Sequence, residues 1–205
     1  MSTNDLIKIK TIIKGDTSGL RSVHGCVLKD GFDRVVYTPP TPLVLQKLMD
    51  NLEVYINEDV GPLDVHPIIR MAIIHYQFES IHPFGDGNGR TGRILSILYL
   101  IKQGLLNDPI LYLSGIINRT KSDYYRLFEE VRVKGDWSSW IEYNIRCVGT
   151  AAKKGTIMIR EIRSLMESYK EKIRSNFPKI YSHELLNNIF KHPYTKTKYL
   201  MEEET

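Results

Sequence analysis

Two apolar helical segments separated by a glycine-rich loop constrain the fold of this chain more than any other feature. Three glycines fall within the five residues Gly85–Gly89, a density that interrupts regular secondary structure. Before the loop, helical spacing of apolar residues predicts a helix over about 64–81, which ends at His82-Pro83 because a residue before proline is pushed out of helical geometry. After the loop, the segment 90–102 is apolar on most faces, as a buried central helix is.

The remaining segments predict further helices and one hairpin. Asp30-Gly31 stands between two β-prone runs, which predicts a hairpin over about 22–37 because Asp-Gly commonly connects paired strands. The proline-rich segment 37–42 excludes regular helix and central strand. The predicted fold class is therefore mostly α, with a small β-hairpin near the amino end. Apolar spacing places the other helices at about 43–56, 119–132, 136–154, 156–174, 181–191 and 194–204.

Length and composition indicate a globular protein. The chain has 205 residues, of which 42% are hydrophobic and 25% charged, and this composition argues against disorder. We assign residues 1–178 to a core domain and 179–205 to a carboxy-terminal helical segment. No signal peptide is recognisable at the amino terminus, and the apolar stretch Ile94–Ile101 is too short to cross a bilayer. With two widely separated cysteines, the sequence predicts a protein of the reducing cytoplasm with no membrane partner.

The segment His82–Arg93, His-Pro-Phe-Gly-Asp-Gly-Asn-Gly-Arg-Thr-Gly-Arg, concentrates groups that bind phosphate and move protons. Successive N–H groups of a glycine-rich loop form a concave anion site, and the helix that follows points its free N–H groups to the same place. Arg90 and Arg93 lie three residues apart, so both guanidinium groups can face the loop. Asp86 would repel a bare phosphate but suits Mg²⁺, and His82 is the natural general base.

This window resembles the signature of Fic-domain proteins, H-P-F-x-D/E-G-N-G-R-x-x-R, at every specified position. The resemblance covers roughly residues 20–175 and includes Tyr37–Pro42, His75–Glu79, Leu111–Ser114 and Tyr124-Tyr125. It implies a Fic-like helical bundle in which the hairpin 22–37 is a flap over the active site. The implied activity is Mg²⁺-dependent transfer of AMP from ATP to a Ser, Thr or Tyr hydroxyl of a target protein.

The resemblance also implies a role for each matching position. His82 matches the base that deprotonates the attacking hydroxyl, and Asp86 matches the residue that binds Mg²⁺ on the α and β phosphates. Tyr124 and Tyr125 are predicted to line the adenine pocket, although adjacent aromatic residues on a helix cannot both face one way. The predicted phosphate contacts are Gly85, Gly87, Asn88, Gly89, Arg90 and Arg93.

The flap resemblance predicts where a target protein docks. An exposed strand edge in 22–37 could align a target segment by main-chain pairing and bring its hydroxyl near His82. The alternative is an edge hairpin that only covers the core. Self-modification and a homodimer are both left open by the sequence.

Two other functions stay open. The enzymatic alternative is transfer of another nucleotide or a phosphoryl group, or removal of AMP, on the same fold. Doc-type phosphotransferases, which share this fold, carry Lys at the position of Gly89, so Gly89 favours AMP transfer over phosphoryl transfer. The alternative of a different class is a DNA-binding regulator acting through 179–205, which looks like the start of a winged-helix module. Its support is a net charge of +4 and three lysines between 191 and 198. Such a run is usually a solvated face, so we expect no nucleic-acid partner for this chain.

One element that the resemblance implies is missing from the sequence. Many Fic proteins are inhibited by a helix with the pattern Ser/Thr-x-x-x-Glu-Gly/Asn, whose glutamate pairs with the arginine that Arg93 matches. No glutamate of this chain is followed by Gly or Asn. The expectation is that this helix precedes residue 1, and the alternative is that a separate partner supplies it.

Overall fold

The structure is a computed structural model that describes residues 1–29, 33–58, 65–192, 194 and 196 of the chain. Its helices are α1 Thr3–Lys14, α2 Pro42–Asn57, α3 Pro67–Ile81, α4 Asn88–Lys102, α5 Leu113–Arg119, α6 Lys121–Lys134, α7 Trp137–Asn176 and α8 His183–Lys191. Its strands are β1 Leu28–Lys29 and β2 Val35–Tyr37. The predicted mostly α fold with a small hairpin is confirmed.

The chain divides into two compact units, Met1–Ala152 and Lys153–Thr205. The division falls inside the long helix α7. The predicted domain boundary at 178 stays a prediction. Over the described stretches, no helix is both long and apolar enough to traverse a bilayer.

The first unit is built around the pair α3 and α4, which pack against each other. Helix α1 packs on α4 and on α2, and α2 packs on α3, so the central pair is covered on several sides. Leu45, Phe78 and Leu95 are at most 1% exposed. Burying a side chain of this size contributes about 1.5–3 kcal/mol, so the central pair provides much of the hydrophobic stabilisation.

A cluster of aromatic side chains packs α6 and the first turns of α7 against α3. Trp140 is completely buried, and its indole N–H donates to the carbonyl of Ala72 at 2.9 Å. The ring of Tyr76 lies 4.5 Å from that of Phe128 and 4.9 Å from that of Trp137. This cluster fixes α6 relative to α3, the helix that ends at the glycine-rich loop.

Helix α1 was not among the predicted helices. Ser2 and Asp5 form a capping box at its start, and Gly15 ends it in the left-handed conformation. Leu6 is buried, and so is Lys10, whose ammonium donates to the backbone and side chains of the turn that follows the helix. The Ser2-x-x-Asp5 pattern was a usable signal for this helix.

The later helices differ from the prediction in their breaks. The two helices predicted at 136–154 and 156–174 form the single helix α7, because an isolated glycine at 155 costs only about 1 kcal/mol and no proline lies between it and the end of α7. The predicted helix 119–132 corresponds to α6, preceded by the short α5. Of the predicted helix 194–204, all but 194 and 196 lies outside the described residues, and neither of these two is helical.

In the second unit, α8 lies against the end of α7. The ring of Phe190 is 5.7 Å from that of Tyr169, and Leu186 is buried. The guanidinium of Arg174 lies over the ring of Tyr181 at 4.5 Å. The predicted helix 181–191 is therefore present as α8.

The predicted hairpin is present as the antiparallel pair β1 and β2, in which Leu28 faces Tyr37 and Lys29 faces Val35 across a bulge. Its tip, 30–32, lies outside the described residues. The hydroxyl of Tyr37 donates to the carbonyl of Ser80 at 2.6 Å, in the last turn of α3. This bond places the hairpin beside the glycine-rich loop.

Candidate active site

The backbone of His82 turns the chain from α3 into the loop. His82 is the C-cap of α3, with φ of 50° and ψ of 59° in the left-handed region, and its N–H donates to Phe78 at 3.0 Å. A non-glycine residue is rarely held there without support from its surroundings, and such residues cluster at functional sites.

Asn88 braces the loop from within. Its side-chain oxygen accepts from the N–H of Phe84 at 2.9 Å, and its amide donates to the carbonyl of Phe84 at 2.7 Å. Both residues are buried. The side chain of Asn88 is thus engaged with the loop itself, and its predicted phosphate contact is left to its backbone N–H.

The start of α4 supplies an anion site. Gly87 is its N-cap, with φ of 91° and no side-chain capping bond. The first N–H groups of a helix have no partner within the helix, so those of Asn88, Gly89 and Arg90 are available to a ligand. The helix dipole adds positive potential at the same end.

Arg93 is directed to this helix start. Its Nε donates to the hydroxyl of Ser114 at 2.8 Å. A Cβ added to Gly89 would lie 3.2 Å from the Nη1 of Arg93, so the guanidinium rests against the first turn of α4. Arg90 is exposed on the same turn. The two guanidinium groups and the N–H groups together favour binding of a polyphosphate.

Asp86 is exposed, and its carboxylate forms an ion pair with Lys14 in this structure. The ammonium of Lys14, at the end of α1, donates to one oxygen of its carboxylate, and the N–H of Gly87 donates to the other at 2.6 Å. The bond from Lys14 is the main reason that the pKa of Asp86 lies below its usual value, and the bond from Gly87 adds to it. Asp86 is therefore ionised and able to bind a metal cation.

The imidazole of His82 is half-buried. Its Nδ1 is closed off from solvent and, within the described part of the chain, has no hydrogen-bond partner. Burial lowers its pKa, the backbone carbonyl of Glu79 opposes this shift, and the charge of Arg21 adds a smaller lowering. A neutral imidazole whose other nitrogen, Nε2, is left for proton transfer suits a general base.

A cavity of about 970 Å³ brings part of the predicted site together. Of the ten predicted site residues, those that line it are His82, Gly89, Arg93, Tyr124 and Tyr125. The other five, Gly85, Asp86, Gly87, Asn88 and Arg90, belong to the loop and first turn of α4 but do not line this cavity. The flap contributes Leu28 and Val35 to Tyr37, so the hairpin forms one wall.

The two predicted adenine contacts differ in exposure. Tyr124 is buried, and its hydroxyl lies 3.1 Å from the Nε2 of His75. Tyr125 is 58% exposed, with the ammonium of Lys121 over its ring. Tyr125 is thus the more accessible stacking surface, while Tyr124 forms part of the wall.

Glu79 lines the cavity beside His82. Its Oε1 is inaccessible to solvent and has no hydrogen-bond partner among the described residues. Burial raises its pKa to about 7, although the charge of Arg93 opposes this shift. The structure thus places a second titratable group in the cavity beside His82.

Three residues at the site were not predicted from the sequence to act there. Lys14 reaches Asp86, Arg21 donates to the carbonyl of His82, and Ser114 accepts from Arg93. Lys14 and Arg21 lie 72 and 61 residues from their partners. No local pattern signals contacts of this kind. Only Ser114 lay in a segment that the resemblance had marked.

Comparison with family models and known proteins points to the family whose signature the motif resembles. Residues 1–100 match the Fic/DOC family, and residues 165–205 match the C-terminal domain of SoFic-like protein adenylyltransferases. The protein adenylyltransferase Fic of Drosophila willistoni is 32% identical over 111 residues, 54% of this chain and 21% of that protein. The protein adenylyltransferase fic-1 of Caenorhabditis elegans is 30% identical over 107 residues, 52% and 20% of the two chains. This chain thus spans about a fifth of the length of the curated relatives it matches.

Solved structures show the same fold. A Fic family protein from Desulfovibrio desulfuricans G20 superposes with a TM-score of 0.66 at 23% identity, over 98% of this chain and 62% of that chain. Fic-1 of C. elegans, residues 134–508, superposes with a TM-score of 0.59 at 23% identity, over 78% and 44%. The sequence motif, the family models and the fold all agree, and they assign the segment 1–100, which contains the motif, to the Fic/DOC family.

Proposed function

We propose that this protein transfers AMP from ATP to a Ser, Thr or Tyr hydroxyl of a target protein, with Mg²⁺ bound at Asp86. The observation that carries the proposal is the pairing of a neutral imidazole at His82 with an anion site at the start of α4. Both belong to one motif, His82–Arg93, and the relatives that the chain matches are named protein adenylyltransferases.

The donor set fits magnesium. Mg²⁺ is typically held by one or two carboxylates together with substrate phosphates and water, and Asp86 is the only carboxylate of the motif. The ammonium of Lys14 stands in for a cation on that carboxylate. When bound, Mg²⁺ would neutralise charge on the phosphate oxygens and favour departure of pyrophosphate.

The reaction then follows from the groups in place. The target hydroxyl gives its proton to His82 while its oxygen forms a bond to the α phosphorus, and the bond from that phosphorus to the bridging oxygen breaks to release pyrophosphate. Arg90, Arg93 and the N–H groups at the start of α4 face the negative charge that develops. Electrostatic stabilisation of this kind is usually the largest contribution to catalysis.

The flap is the proposed docking site for the target. Val35 and Val36 are 55% and 44% exposed and line the cavity that contains His82. A target segment aligned on this hairpin would bring its hydroxyl to the imidazole. The proposed compartment is the cytoplasm, since Cys26 and Cys147 are free thiols, as is usual where thiols stay reduced.

Labelled ATP tests the proposal. Relative to a cell lysate with Mg²⁺ alone, adding the protein should increase the label transferred onto protein from [α-³²P]ATP but not from [γ-³²P]ATP, including label on this chain if it modifies itself. His82→Ala should lower the transfer rate by about 10²–10⁴-fold, with ATP binding measured by calorimetry unchanged. An increase in the γ label above that of the lysate alone, or equal rates of α-label transfer for the variant and the wild type, would contradict the proposal.

A further inference from the structure

Arg21 is a buried cation that binds the backbone of the site residue His82. It lies between α1 and the hairpin and is only 9% exposed. Its Nε donates to the carbonyl of His82 at 2.8 Å, and its Nη2 donates to the carbonyl of Pro40. Its own N–H donates to the carbonyl of Pro83 at 2.8 Å. We infer that Arg21 is a positioning residue that sets the direction of the His82 imidazole, an inference that rests on the proposed function.

The backbone conformation of His82 explains why it needs such a partner. At the left-handed C-cap of α3, its carbonyl turns away from the helix and loses the helical acceptor geometry. A buried carbonyl without a donor is costly, and the left-handed conformation itself is unfavourable for a side chain with a Cβ. The guanidinium satisfies this carbonyl and thereby holds the conformation that points the ring into the cavity.

The shape of the guanidinium makes the attachment directional. Its planar fork donates to His82 and Pro40 at once, so the start of α2 and the end of α3 are fixed to one rigid group. Pro40 lies between the hairpin, which ends at Tyr37, and the start of α2 at Pro42. Arg21 therefore ties the base of the flap to the residue that would take the proton. Lysine, with a single ammonium on a flexible stem, cannot reproduce this geometry.

The positive charge of Arg21 also suits His82 to act as a base, because it favours the neutral form of the imidazole. It faces His82 and, after burial, is a cause of the lowered pKa of that imidazole. Among the described residues, no carboxylate forms an ion pair with Arg21, so backbone carbonyls are its hydrogen-bond partners. Because carbonyl groups do not neutralise the guanidinium, its positive charge acts on the imidazole of His82.

Two variants and a matched control test the inference in the full chain. Arg21→Met removes the donors with little change in volume, and Arg21→Lys keeps the charge and one donor. Arg163→Met removes an exposed arginine of α7. The transfer rate at saturating ATP should fall by about 10- to 100-fold in Arg21→Met, since a misplacement of about 1 Å can have this effect. The rate of Arg21→Lys should lie between those of Arg21→Met and the wild type, and that of Arg163→Met should equal the wild type.

The affinity for ATP distinguishes a positioning role of Arg21 from a merely structural one. The Kd for ATP should change by less than about threefold in both Arg21 variants, and their circular dichroism should match the wild type. A folded Arg21→Met with an unchanged rate, or with an ATP affinity that falls as far as its rate, would overturn the inference. If Arg21→Met does not fold, Arg21→Lys decides by the same criteria.

An NMR measurement keeps this test independent of the proposed activity. The ring resonances of His82 are assigned by their disappearance in His82→Ala. They should move in Arg21→Lys and stay in place in Arg163→Met. If the wild type transfers no AMP, the proposed function fails while a shifted His82 resonance still supports the positioning role. Resonances that do not move overturn it.

Discussion

At the scale of single residues, the ion pair between Lys14 and Asp86 occupies the carboxylate of the proposed metal site. The stem of Lys14 lies against Gly87, where an added Cβ would be 3.3 Å from the Cγ of Lys14. The ammonium is therefore held at the carboxylate by packing as well as by charge. A metal ion bound at Asp86, as proposed, would have to displace this ammonium.

Replacing this lysine should make metal binding easier. In Lys14→Met, the Mn²⁺ concentration for half-saturation, measured by electron paramagnetic resonance with a saturating non-hydrolysable ATP analogue, should fall by about two- to fivefold, the effect of a largely exposed ion pair. Lys8→Met, on the same helix, is the control, because Lys8 pairs only loosely with Asp5 at 4.0 Å. An unchanged Mn²⁺ affinity in Lys14→Met would contradict the competition. Full Mn²⁺ binding by Asp86→Asn would contradict the metal site itself.

The sequence predicted the motif residues but not the residues that hold them. His82, Gly89 and Arg93 lie within twelve consecutive residues, so their proximity is almost guaranteed by the chain. Lys14 and Arg21 reach the motif only because α1 packs on α4 and the following segment crosses the end of α3. Contacts of this kind depend on tertiary packing, which a local pattern does not contain.

At the scale of elements, the close approach of α3 and α4 depends on a glycine. A Cβ added to Gly92 would press on the Oε1 of Glu79 and lie 3.0 Å from the Cδ1 of Phe78. Both residues are on α3, directly before the loop. A side chain at 92 would therefore force the carboxyl group of Glu79 and the ring of Phe78 to shift.

Alanine at this position should separate the two helices. Gly92→Ala should lower the free energy of unfolding by about 1–3 kcal/mol, the usual effect of overpacking a core. Gly149→Ala is the matched control, since a Cβ there meets nothing within 4 Å and alanine should stabilise α7 by about 0.5–1 kcal/mol. Urea denaturation followed by circular dichroism measures both. Equal effects of the two substitutions would show that the helices are not in close contact at Gly92.

Helix prediction succeeded where apolar patterns were long, but it missed α1 and placed a break in α7 that does not occur. The segments of α2, α3 and α4 have apolar residues on continuous faces, and the structure has these helices near the predicted bounds. Helix α1 carries a buried lysine at position 10, which weakens its apolar pattern. The break expected at Gly155 does not occur, because glycine alone lowers helix stability without ending a helix.

At the scale of the whole molecule, two buried groups give the fold opposite responses to pH. Burial lowers the pKa of His75 from 6.5 to about 4, so the folded state resists protonation that the unfolded chain accepts. This contribution to stability is lost as the pH falls from about 6.5 to about 4. Burial raises the pKa of Glu79 from 4.5 to about 7, and its contribution is lost as the pH rises through that range. Between pH 4.5 and 6.5 the two effects oppose each other.

Removing one of the two groups should expose the response of the other. Glu79→Gln keeps the size of the side chain but cannot ionise, so the variant retains only the response of His75. Its free energy of unfolding should therefore rise more steeply than that of the wild type between pH 4.5 and 6.5, and should not fall between pH 6.5 and 7. Urea denaturation at half-unit steps of pH measures the difference, with Glu161→Gln, an exposed position of α7, as the control. Between pH 4.5 and 7, the folded wild type keeps a proton on Glu79 that the unfolded chain has lost. If the plots of unfolding free energy against pH run parallel for Glu79→Gln and the wild type, Glu79 is already ionised in the folded protein and the prediction is wrong.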